Sequence, residues 1–147
     1  LVNAPRTKLV TGFPAGRTFD LGGVKIRIGD TILGWATVSL TVLKGDRFDE
    51  PGRILLAATG KAQNTGWDLR KEGDRVTVGR RWGDEPILCE GVPAQITLPV
   101  PSQRVKVYAL DETGKRKANV PVGPAAQAVV EIGPQYQTLW YEIEVQK

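Results

Sequence analysis

The 147-residue sequence contains no histidine and a single cysteine, Cys89. Without histidine there is no Ser-His-Asp or Cys-His nucleophile, no His-ligated zinc and no ordinary general base near neutral pH. One cysteine excludes an internal disulfide and a multi-Cys metal site. Cys89 sits in the apolar run Ile87-Leu88-Cys89, where a buried, unreactive thiol is expected. Phosphate-cradling signatures are missing as well: no Gly-Lys-Ser/Thr follows a strand-like run, and no GxGxxG opens a helix. Asp84, Glu85 and Glu90 near Trp82 are the carboxylates that could cleave a glycoside. That chemistry needs a facing pair about 5–9.5 Å apart with one raised pKa. Turn and surface roles account for these residues equally well, so the domain is expected to be non-enzymatic. Asp46, Asp49 and Glu50 could supply oxygen ligands to a structural calcium, but EF-hand spacing is absent. No cofactor and no metal ligand is therefore assigned.

The aromatic residues say more. The chain has four Trp, three Tyr and three Phe. Trp67 and Trp82 lie in glycine-flanked polar segments, Asn64-Thr65-Gly66-Trp67-Asp68 and Arg80-Arg81-Trp82-Gly83-Asp84. A flat ring with a satisfied N–H suits the C–H face of a pyranose. Asn64, Asp68, Arg81 and Asp84 would then hold the sugar hydroxyls. A second set, Trp35, Tyr108 and Trp140, falls on the sides of its strands that face away from Val, Leu and Ile. These rings would form a platform along a sheet face. The loop pair is favoured, because the neighbouring glycines let backbone and ligand approach closely. Packing beneath a loop is the ordinary alternative for each ring.

The elements that must position these residues are strands. Ala36, Val38, Leu40 and Val42 alternate with Trp35, Thr37, Ser39 and Thr41, the pattern of a half-buried strand. Val24-Ile28, Val105-Ala109 and Leu139-Val145 alternate in the same way. Ile54-Leu55-Leu56-Ala57-Ala58 is apolar on both sides, which suits a mid-sheet position. Gly and Pro punctuate these runs at short spacing, and Asp111-Glu112-Thr113-Gly114 has the chemistry of a hairpin turn. No window carries a helical period. The expected fold is all-β: one antiparallel β-sandwich, jelly-roll-like, spanning residues 1–147. Gln63 to Arg75 and Arg80 to Val92 are expected to be long ordered loops, where binding often resides.

The net charge is +4, from 20 basic and 16 acidic side chains. The basic residues are scattered along the chain, with none of the concentration of a phosphate-tracking stripe. Neither nucleic acid nor a membrane is expected as a partner, and no apolar run is long enough to span a bilayer. The chain opens at Leu1 and contains no Met, as expected of a segment excised from a larger protein.

Several stretches resemble a segment that follows the catalytic barrel in some bacterial glycoside hydrolases. These are Asn3-Ala4-Pro5-Arg6-Thr7-Lys8 with Val10-Thr11-Gly12-Phe13, then Arg53 to Leu56 and Gly60 to Trp67. Val78 to Gly83, Pro86 to Gly91, Val107 to Asp111 and Ile132 to Ile143 continue the likeness. The resemblance implies a C-terminal β-sandwich of a secreted polysaccharide-degrading enzyme, which binds glycans or braces the catalytic domain. The expected function is that of a non-catalytic carbohydrate-binding module on plant cell-wall β-glycans such as β-glucan, xyloglucan or cellulose. One rival is a structural domain that packs on the catalytic domain of its parent chain without binding sugar. The other is a nucleic-acid-binding β-barrel that stacks bases on exposed rings.

Overall fold

Alternation decides which side of each strand meets the core, and the computed structural model, covering Leu1–Lys147, follows it closely. In chain order the strands are β1 (Val2–Ala4), β2 (Thr7–Gly12), β3 (Thr18–Leu21), β4 (Val24–Ile28) and β5 (Ala36–Lys44). Then come β6 (Gly52–Thr59), β7 (Ala62–Thr65), β8 (Arg70–Glu72), β9 (Arg75–Thr77) and β10 (Asp84–Cys89). The last five are β11 (Ala94–Leu98), β12 (Val105–Leu110), β13 (Arg116–Val120), β14 (Ala128–Ile132) and β15 (Trp140–Val145). Strand accounts for 54% of residues and helix for 4%, against roughly 20–25% strand in average globular proteins, so the class is all-β. No helix is long and apolar enough to cross a membrane.

Two antiparallel sheets form the sandwich. The larger has seven strands in the order β1-β2-β5-β6-β15-β12-β13, and the smaller has four in the order β14-β11-β4-β3. Both end on free strands, so the architecture is an open sandwich rather than the closed barrel that the nucleic-acid alternative supposed. The inward rows Val38-Leu40-Val42, Ile54-Leu56 and Tyr141-Ile143-Val145 of the large sheet join Val24-Ile26-Ile28 and Ile96-Leu98 of the small one in a single buried cluster. Each fully buried Ile or Leu contributes about 1.5–3 kcal/mol. The Tyr141 hydroxyl donates to the Gly133 carbonyl at 3.3 Å, and burial pushes its pKa up. The doubly apolar strand β6 lies at the centre of the large sheet between β5 and β15, where neighbours on both sides shelter even its outward residues Leu55 and Ala57.

Asp111 to Gly114 forms the expected hairpin turn. Its Gly114 takes a φ of +81°, and the Gly114 N–H reaches the Asp111 carbonyl at 3.0 Å.

The segment between β6 and β11 differs from expectation. It is no pair of irregular loops but an arm, made of a β7–β10 hairpin with a small β8–β9 hairpin beyond it. Every residue from Ala62 to Cys89 is at least partly exposed. With neither face covered, the arm strands carry little apolar alternation; the pair Val76 and Val78, which alternates with Arg75 and Thr77 at β9, is the one readable instance.

Candidate functional site

The arm leaves the sandwich at the end of β6 and returns into β11, so it connects the middles of the two sheets. Glu90 fastens its root. One carboxylate oxygen of Glu90 accepts the Ile32 N–H at 2.6 Å and the other accepts the Lys61 N–H at 2.9 Å. The Glu90 N–H in turn reaches the Lys61 carbonyl at 2.8 Å. A side chain at Gly60 would collide with this carboxylate. Glu90 is thus a clamp between three chain segments.

Midway along the arm the chain folds back on itself between Thr65 and Asp84, which oppose each other in the β7–β10 register. The Asn64 side-chain amide donates to the Trp82 carbonyl at 3.0 Å, and the Trp67 N–H reaches the Asn64 carbonyl at 3.2 Å. The Asp68 N–H meets the Arg81 carbonyl at 3.3 Å, while the Arg81 guanidinium pairs with the Asp68 carboxylate at 2.8 Å. Gly83 has a φ of +71°, and a Cβ there would strike the Thr65 carbonyl oxygen. Glycine is therefore required both for its left-handed backbone and for the close approach. All six residues assigned to the loop edge, Asn64, Trp67, Asp68, Arg81, Trp82 and Asp84, come together in this junction.

The two rings differ in availability. Trp82 is 64% exposed. Trp67 is half-buried, and the Lys61 ammonium lies 5.6 Å from its ring centroid, so one face is already occupied. Lys61 belongs to the site and was not anticipated, since its sequence neighbourhood offers no signal of the contact. Leu69, Val76, Ile87 and Leu88 also stand exposed along the arm.

Of the second aromatic set, Tyr108 and Trp140 lie on β12 and β15 of the large sheet and Trp35 immediately precedes β5, and the three form no open platform. Tyr108 is capped by the Arg116 guanidinium, 3.8 Å from its ring centroid. Arg116 is held there by Glu142 and by Glu144, the latter at 3.0 Å. Arg53 adds a contact of 3.6 Å to Glu142. Trp35 is half-buried, and its carbonyl accepts the Thr31 hydroxyl at 3.2 Å. Trp140, 39% exposed, is the most open of the three and lies in register with Ala57 and Ser39.

Cys89 requires correction. It is exposed, because Ile87-Leu88-Cys89 lies on the arm, where no second layer covers the strand. The carboxylates Asp84 and Glu85 are exposed arm residues. Asp49 receives two bonds from Arg47, at 2.9 and 3.0 Å, which hold its carboxyl below the usual range. No group of three or more His, Cys, Asp or Glu side chains converges in a way that could hold a metal ion.

The chain matches no family model, no curated protein and no solved structure.

Proposed function

We propose that this domain is a non-catalytic carbohydrate-binding module that takes a neutral plant cell-wall β-glycan against its arm. The observation that carries the reading is the exposed ring of Trp82 at a chain junction that also holds Asn64, Asp68, Arg81 and Asp84. An exposed ring bordered by groups that donate and accept hydrogen bonds is the arrangement a pyranose needs. The arm from Lys61 to Glu90 carries six basic and six acidic residues. Its zero net charge favours an uncharged polymer over a polyanion. Linked to a catalytic domain, such a module raises the local concentration of substrate.

Calorimetric titration with soluble β-glucan and xyloglucan, plus a pull-down on cellulose, tests this. At least one polymer should bind the wild type. Trp82→Ala should weaken that binding by about tenfold or more, ~1.4 kcal/mol, with an unchanged melting temperature. Full binding by Trp82→Ala would move the site off the arm.

A second reading has its own support. Leu69, Val76, Trp82, Ile87 and Leu88 are exposed on an arm that has no core, and a lone hairpin is only marginally stable in water. Covering these side chains with the catalytic domain of a parent enzyme would stabilise the arm. In that case Trp82→Ala would weaken domain docking and leave glycan binding undetected throughout.

A further inference from the structure

A cavity of about 390 Å³ opens at the end of the sandwich opposite the arm. It lies between the start of β2, the turn joining β3 to β4, the segment after β5 and the residue that follows β11. Asn3, Lys8, Gly22, Arg47, Phe48 and Pro99 are among its lining residues. The volume falls within the ~300–1,000 Å³ typical of small-ligand sites.

Lys8 occupies an inward position on β2, in the same row as Val10, and is only 6% exposed. Its ammonium donates to the Asn3 side-chain oxygen at 2.6 Å and lies 5.4 Å from the Phe48 ring centroid. None of the ion pairs in the structure includes Lys8. Asp49, the carboxylate on the cavity wall, is committed to Arg47. A lysine ammonium has three donors, and the protein takes up one of them. Because its oxygen accepts from Lys8, the Asn3 side chain turns its N–H₂ outward from that bond as a further donor. A buried charge without a counter-charge is costly, and burial accordingly holds the Lys8 amine below its usual range. The wall is thus rich in donors, has apolar sides from Phe48 and Pro99, and its one carboxylate, Asp49, is paired with Arg47 rather than with Lys8.

We propose that this cavity binds a carboxylate anion, with Lys8 as its counter-charge and Asn3 as a second donor. Two sources share that chemistry: a small free carboxylic acid, and a uronic acid unit of a glycan. The cavity and Trp82 lie at opposite ends of the sandwich, so this site and the arm are tested independently.

The experiment is an amide-resolved NMR titration of the whole domain with sodium acetate, sodium glucuronate and glucose, at ionic strength matched with sodium chloride. Saturable shifts are expected at Asn3, Lys8, Gly22 and Phe48 with a carboxylate and none with glucose. Lys8→Met should weaken the response by at least about tenfold. Asn3→Asp should abolish it, because its own carboxylate would sit on the ammonium, and it keeps the test intact if Lys8→Met does not fold. Selectivity for glucuronate assigns the uronic acid source, and equal binding of acetate assigns free acids. Absence of saturable shifts, shifts equalled by chloride, or binding unchanged in both folded variants would overturn the proposal.

Discussion

Each oxygen of the Glu90 carboxylate accepts a backbone N–H, one from Ile32 and the other from Lys61. Glu90→Gln keeps the shape but replaces one acceptor with a donor, which leaves a backbone N–H without its partner. The expected cost is about 1–3 kcal/mol in urea unfolding, with faster hydrogen exchange at the Lys61 amide. Asp111 shows the same principle at an exposed turn. Its carboxylate accepts the Thr113 hydroxyl and the N–H groups of Thr113 and Lys115. The Thr113 hydroxyl, ahead of the Lys115 N–H, holds its pKa below the ordinary value of 3.8. A carboxylate with a lowered folded pKa contributes stability that is present above the unfolded value and is lost as pH falls through the folded one. Asp111→Ala should therefore melt below the wild type at neutral pH. The gap should close on acidification below the ordinary aspartate range; a gap independent of pH would assign it to turn geometry instead.

The arm is an element whose stability is separable from that of the sandwich. None of its residues from Ala62 to Cys89 belongs to the buried cluster. The Glu90 clamp acts on Ile32 and Lys61, outside those residues. Excision of Ala62–Cys89, with Lys61 joined to Glu90 through an Asn-Gly turn, should leave a folded sandwich with little change in melting temperature. Binding of β-glycan should disappear with the arm. Hydrogen exchange in the intact domain should be fast along β7 to β10 and slow along β6 and β11, since thinly covered segments open locally at low cost. A cooperative collapse of the excised variant would mean that the arm carries fold stability its exposure does not suggest.

At the scale of the whole molecule, stability rests on one core shared by two sheets. Ile96 sits on β11 between β14 and β4 and is fully buried. Ile96→Ala should cost about 2–5 kcal/mol, read from chemical unfolding, far above any arm substitution. Charge tells a different story at this scale. The chain has a net +4, yet the arm with its root, Lys61 to Glu90, balances six basic against six acidic residues. Affinity for a neutral β-glycan should therefore change little between low and moderate salt. A steep linear fall of log affinity with log salt would point to phosphate contacts.

Strand positions and their inward sides were readable from local alternation, because a side-chain period of two needs only neighbouring residues to express it. Trp35 to Val42, Val24 to Ile28 and Leu139 to Val145 all face as that period requires. The Asp111–Gly114 turn and the central place of β6 follow from equally local chemistry, as does the grouping of polar residues about Trp67 and Trp82. Coverage was not readable. Ile87-Leu88-Cys89 has the composition of a core strand but lies on an arm that no second sheet overlies. Tyr108 faces outward as its alternation requires, yet Arg116 from β13 and glutamates from β15 close over it. Lys8 sits on the inward row where its charge argues against burial, and Asn3 and Phe48 receive it there. Burial depends on which distant strands pair and stack over a face, and no spacing along one segment encodes that.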